Sequence, residues 1–144
     1  MKSLDKMKKR TIALLCLALL AQGGALAEKP VDLDLSALSG TVVYSQVYDM
    51  TMEPERYLGQ RVRVKGDFSY FQDPVTRQEY FAVLIADATA CCAQGIEFVW
   101  EGHRYPDDYP PVDTELTVTG VFNTYEENGF TYLQLTDAEV SWKA

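Results

Sequence analysis

From residue 61 onward, apolar and polar side chains alternate with a period of two. In the run Arg61 to Tyr70, Val62, Val64, Phe68 and Tyr70 fall on one side. Arg61, Arg63, Lys65, Asp67 and Ser69 fall on the other, as in a strand with one buried and one wet face. Gly66 lies on the inward side, where a small barrel needs a bend or a close backbone approach. The alternation returns in Ile96, Phe98 and Trp100 against Glu97, Val99 and Glu101, and again in Leu116, Val118, Gly120 and Phe122 against Thr117, Thr119 and Val121. Glu79 to Ala86 is almost continuously apolar, which predicts a strand buried on both faces, and Phe130 to Val140 predicts the last strand. Asp73-Pro74 starts a turn within Gln72 to Thr76. Asn128-Gly129 tolerates the positive φ of a two-residue hairpin loop.

Upstream the signals are shorter. Thr41 to Tyr48 is rich in β-branched and aromatic residues and predicts a further strand, at an edge. Glu53 to Gly59 predicts one helical turn, with Pro54 at its first position, acids near its N-terminus and Gly59 just past its end. Such a turn is too short to stand alone and suits a plug at a barrel end. One short helical turn with five long strands predicts an all-β closed barrel. The run Leu58-Gly59-Gln60-Arg61-Val62-Arg63-Val64-Lys65-Gly66, with Tyr80-Phe81 and Glu115-Leu116-Thr117-Val118-Thr119-Gly120, resembles the OB fold, a five-stranded Greek-key barrel, over about residues 56–140. That resemblance implies an architecture and leaves the function open.

Residues 1–27 carry a different signature. Lys2, Lys6, Lys8, Lys9 and Arg10 form a basic head, Thr11 to Ala21 an apolar run, and Ala25-Leu26-Ala27 a small-x-small cleavage pattern. Together they predict a secretory signal peptide cut after Ala27, so the processed chain is expected outside the cytoplasm. An uncleaved leader acting as an anchor is the second reading; Gln22, Gly23 and Gly24 end the apolar run short of the ~20 residues of a membrane-spanning helix. Residues 28–40 then read as a linker or N-terminal arm, and 41–144 as the barrel domain.

Cleavage changes the charge. The chain has 13 basic and 21 acidic side chains; the leader removes five of the former and one of the latter. The processed chain keeps 8 against 20, a formal net charge of −12. A surface this acidic repels phosphate backbones and anionic membranes, so nucleic acid and anionic membrane surfaces are excluded as partners. A protein or a small ligand remains.

Cys91-Cys92 is the unusual step, set between the second and third barrel strands in Ala86-Asp87-Ala88-Thr89-Ala90-Cys91-Cys92-Ala93-Gln94-Gly95. In that position it resembles the soluble Cys-Cys-containing domain of the YcgQ-type permease-associated proteins. In that family the acid follows the pair, whereas Asp87 precedes it here, and the family's transmembrane helices have no counterpart; permease function is therefore not carried over. The resemblance implies an exported relative of that domain, with Cys91 and Cys92 as the residues to watch.

Adjacent cysteines in an extended strand point to opposite faces. Their Cα atoms stand about 3.8 Å apart across a trans peptide, closer than the roughly 4.4–6.8 Å of an ordinary disulfide. A strained vicinal bridge, metal-bound thiolates, an intermolecular bridge and two buried thiols are the four outcomes. Cys91 and Cys92 with His103, Asp87 and Glu97 make a candidate metal set, for zinc through mixed S, N and O ligands or for copper through the thiolates. A thiol-redox role lacks the Cys-x-x-Cys spacing that activates such thiols.

The loop His103-Arg104-Tyr105-Pro106-Asp107-Asp108-Tyr109-Pro110-Pro111 lies where OB folds often carry a helix, and its three prolines forbid one. Its two Tyr-Pro steps raise the frequency of a cis bond. Tyr105 and Tyr109 are expected to cover the barrel's open end and are also ligand-binding candidates. Outward aromatics, Phe71 and Tyr125 among them, offer a stacking platform. No Ser/His/Asp arrangement or phosphate-cradling glycine loop is present. The expected function is thus a non-enzymatic binding or accessory module acting through the Cys-Cys and proline-rich loops, with metal binding and then thiol redox chemistry as alternatives.

Overall fold

A computed structural model describes residues 29–86 and 92–143. The predicted leader, and Asp87 and Cys91 in the loop 87–91, lie outside the described residues. The elements are β1 (Leu33–Asp34), α1 (Gly40–Met52), a 3-10 turn (Pro54–Arg56), β2 (Arg61–Gln72), β3 (Glu79–Ala86), β4 (Ala93–Phe98), β5 (Glu115–Glu127) and β6 (Phe130–Trp142). No helix among the described residues is long and apolar enough to cross a membrane.

β2 has two partners because it bends. Arg61 to Asp67 pair antiparallel with Glu115 to Val121 of β5, and Asp67 to Gln72 pair with Glu79 to Leu84 of β3. The change of partner falls at Gly66, where the barrel leaves no room for a side chain. β3 continues antiparallel to β4, β4 runs parallel to β6 through Glu97–Gln134 and Phe98–Leu135, and β6 returns antiparallel to β5. The ring β2-β3-β4-β6-β5 closes on β2, a five-stranded OB-type Greek-key barrel. Closure leaves no long unpaired edge among the described residues. β1 adds in parallel to β2 at Val62 and Arg63, and Leu35 beside it is 1% exposed, so part of the N-terminal arm belongs to the core.

The alternation predicted for β2, β4 and β5 is the one the barrel uses; β3, expected to be buried on both faces, buries only Val83 and Ile85, because its other face forms the outer wall. Val62, Val64, Phe68, Val83, Ile85, Ile96, Phe98, Leu116, Val118, Phe122 and Leu135 are buried. Arg61 departs from it, buried on the outer side beneath Glu139, whose carboxylate lies 2.6 Å from the guanidinium. Both turns form as expected. Asp73 Oδ1 accepts from the backbone N–H of Val75 and Thr76 at 2.7 Å each. Asn128 and Gly129 take φ of 51° and 83°.

The first predicted strand is wrong. Thr41 to Tyr48 lies within α1, whose buried residues are Val43, Val47 and Met50. Steps of four and three put these on one helical face, whereas a period of two would turn Met50 away from the other two. Burying all three outweighs the β-propensity of Val42, Val43 and Tyr44. The expected plug changes identity too: the 3-10 turn at Pro54 forms, but none of its three residues is buried. α1 is the stopper, at the barrel end where β3 passes to β4; Gln94 Nε2 lies 3.5 Å from the Tyr44 hydroxyl there. Tyr57, following the turn, packs edge-on to Phe122 at 6.2 Å.

The opposite end is closed by the proline-rich loop, as predicted. Tyr109 is buried with its ring 4.5 Å from Phe81 and 5.6 Å from Phe68, and Tyr105 stacks on Tyr70 at 3.9 Å. The Tyr105–Pro106 bond is cis.

Candidate functional site

With both ends stoppered, the accessible cleft lies on the outer wall. Because Phe81 and Phe98 turn inward, their strand neighbours Tyr80 and Glu97 turn outward. The distal β5–β6 hairpin leans over this wall and is held by a reciprocal pair of hydrogen bonds. Tyr80 of the wall donates to both carboxylate oxygens of hairpin Glu127, at 2.9 and 3.0 Å. Tyr125 of the hairpin donates to Glu97 Oε2 of the wall at 2.7 Å. Beneath them lies a cleft of about 490 Å³, walled by Glu79, Tyr80, Glu97, Trp100, Tyr125 and Glu127, with Arg77, His103, Tyr109 and Gln134 also reaching it.

The electrostatics of the cleft follow from these contacts. The hydrogen bond to Glu127 keeps the Tyr80 phenol neutral and pushes its pKa up to about 12. Burial, with the bond to Glu97, pushes Tyr125 well above the ordinary tyrosine range. Burial pushes the Glu97 carboxyl up, against the pull of the Tyr125 hydrogen bond, and the Glu127 charge adds to the rise. At neutral pH the phenols are therefore fixed donors, unable to serve as bases. Aromatic packing steadies the surroundings: Tyr125 stacks on Tyr132 at 5.3 Å, and Trp100 on His103 at 3.6 Å. His103 Nδ1 lies 3.0 Å from the Glu101 carbonyl oxygen.

The residues singled out in the sequence separate into two regions. Glu97, His103 and Tyr109 share the cleft, while Tyr105 is spent on Tyr70 at the barrel mouth. Cys92 is exposed at the other end of β4. Five residue-to-residue steps of extended chain, about 3.3 Å each, carry the chain from it to Glu97. Of the proposed metal set, Cys92 is thus not brought together with Glu97 and His103, while Asp87 and Cys91 lie outside the described residues. The strand that carries Glu97 points it to the far end of the wall, and His103 is stacked on Trp100. Among the described residues no group of three or more His, Cys, Asp or Glu side chains is placed to hold a metal ion; Asp87 and Cys91 are not among them.

Phe71, exposed, lies against Tyr80 at 6.1 Å, while Tyr125 stacks on Tyr132 and donates to Glu97. Sequence reasoning missed Tyr80 and Glu127 as site residues. The one available signal was parity, since each falls on the outward side of its strand, but parity does not show that the hairpin leans across two neighbouring strands. No family model, curated protein or solved structure matches the chain.

Proposed function

We propose that the chain is an exported, non-enzymatic binding module that seats its ligand in the cleft between the β3–β4 wall and the overhanging β5–β6 hairpin. One observation carries this: a cleft lined by aromatic rings and carboxylates opens on the outer wall of a barrel whose interior is filled and whose ends are closed. By analogy of fold, OB barrels bind through the corresponding two strands and the two hairpin loops beside them. Cys92 lies just before β4, at the end away from Glu97. Tyrosines held protonated at neutral pH support binding rather than proton transfer. The net charge of −12 argues against nucleic acid even though the fold accepts it elsewhere.

Backbone chemical-shift mapping of the processed protein against a panel of small cations, neutral oligosaccharides and short peptides tests the reading. Saturable shifts are expected at Tyr80, Glu97, Trp100 and Tyr125. Shifts confined to the Cys92 loop, or none with any compound, would overturn it. N-terminal sequencing of the secreted form is expected to begin at Glu28.

A further inference from the structure

We infer that the cleft recognises an organic cation, an alkylammonium or guanidinium group; this rests on the binding-module reading and narrows its ligand. The argument is a count of what the cleft still has to offer. Two of its three phenols are already committed as donors, Tyr80 to Glu127 and Tyr125 to Glu97, and Gln78, Tyr109 and Gln134 line it as well. The acceptors are not exhausted. An ionised carboxylate has about four lone-pair sites, and Glu97 uses Oε2 for Tyr125 while Oε1 makes no hydrogen bond among the described residues. Glu79 accepts one bond, from the Tyr70 hydroxyl at 2.9 Å, and retains its second oxygen.

A group seated here therefore meets carboxylates with open acceptor sites and aromatic rings from Tyr80, Trp100 and Tyr125. Donor-rich cations satisfy both at once, because ring faces attract positive charge and carboxylates accept from N–H. An anion would meet three carboxylates. A neutral sugar would leave the charge of those three carboxylates uncompensated. Two bases reach the lining, Arg77 and His103. Arg77 sits in the β2–β3 turn with φ of 64° and His103 lies flat on Trp100, and the three carboxylates Glu79, Glu97 and Glu127 outnumber the one guanidinium that lines the cleft with them. The long-range field has the same sign, with a net charge of −12 on the processed chain drawing cations inward.

The cation has two sources, a free polyamine or a basic side chain of a polypeptide. Titration of the full processed protein with spermidine, triarginine, cellotriose and triglutamate separates them, read by tryptophan fluorescence and by shifts at Tyr80, Glu97 and Tyr125. Saturable binding is expected from spermidine and triarginine, weakened at least tenfold in Glu97→Gln and in Glu79→Gln. The second variant, on a more exposed side chain, serves if the first fails to fold. Tighter binding of triarginine assigns a polypeptide source, and tighter binding of spermidine a free amine. Cleft shifts with cellotriose but not with either cation would overturn the cationic class while leaving the binding module standing. Cation binding unchanged in both variants would also overturn it, and silence from all four probes would remove the module reading as well.

Discussion

Replacing Gly66 with alanine tests whether the barrel closes where the register places it. A Cβ at Gly66 would stand 2.3 Å from the Leu84 carbonyl oxygen, 2.9 Å from Val83 Cγ1 and 3.1 Å from the Leu84 carbonyl carbon. Non-bonded carbon contacts are comfortable at about 3.5–4.0 Å, so β2 and β3 would have to part by about 1 Å, at the point where β2 exchanges β5 for β3. Two of the three obstructing atoms are backbone and cannot rotate away. Overpacking of this kind costs about 1–3 kcal/mol, occasionally more. It is offset by ~0.4–1 kcal/mol, because alanine has less freedom to lose from the unfolded chain. The expected net loss is about 2 kcal/mol, or ~8 °C in Tm for a domain of this length.

Gly95→Ala supplies the control. Its Cβ would meet Leu84 Cδ2 at 3.2 Å, the far end of a flexible side chain, on an exposed position. That variant is expected within ~0.5 kcal/mol of the parent. Urea unfolding followed by ellipticity, with midpoint and slope compared across the three proteins, reads both effects. Equal midpoints for Gly66→Ala and Gly95→Ala would refute the close approach of β2 to β3.

Tyr109→Ala is expected to cost about 3–5 kcal/mol, the range for removing a buried ring, while Tyr109→Phe stays within ~1 kcal/mol; urea midpoints decide, and a small loss in the alanine variant would mean the loop does not stopper the barrel. Tyr80 has a folded-state pKa raised to about 12, so its contribution to stability is fully present below pH 10 and lost as pH rises from there through 12. Near-ultraviolet titration of the phenolate is expected to show this late ionisation, and Glu127→Gln to bring it back toward the ordinary value of about 10. Arg61 is 5% exposed with its Nε unpartnered, and its partner Glu139 is mostly exposed. Arg61→Met therefore removes a costly buried charge without stranding another and is expected to cost less than ~1 kcal/mol. A loss above ~3 kcal/mol in its unfolding curve would mean that the ion pair is needed for the fold.

The parts of the fold legible in the sequence are those where one residue's environment is set by its immediate neighbours along the strand. Val62, Val64 and Phe68 announce a buried face by parity alone, and Asn128-Gly129 announces its hairpin by the φ values it tolerates. α1 was not legible as a helix because Val42-Val43-Tyr44 satisfies the local preferences of a strand. The helix is chosen by tertiary burial of Val43, Val47 and Met50, a distance the local preference does not span. The cleft fails for a related reason. Glu97 and His103 were singled out, yet for a metal site with the cysteines. What brings Glu97 to Tyr125 is 28 residues of chain and the lean of a hairpin over a wall, neither of which leaves a periodic trace.

The same closure that made the barrel readable also directs where chemistry can occur. An OB barrel with a ligand site in its mouth needs an open end, and here Val43, Val47 and Met50 fill one end while Tyr109 fills the other against Phe68, Phe81 and Phe98. Outward tyrosines gain little from burial and need another reason for their placement. Tyr80 and Tyr125 find it by spanning wall and hairpin, and in doing so they commit their hydroxyls while leaving ring faces and carboxylate oxygens turned to the cleft. The hairpin's position and the character of the site are thus one feature: whatever loosens the Tyr80–Glu127 and Tyr125–Glu97 bonds widens the cleft and frees two phenolic donors together. Tyr80→Phe with Tyr125→Phe cuts both clasps, and with the hairpin no longer held over the wall it is expected to weaken spermidine or triarginine binding without abolishing the fold. Unchanged affinity in that double variant, read by the same fluorescence titration, would show that the hairpin's clasp has no part in recognition.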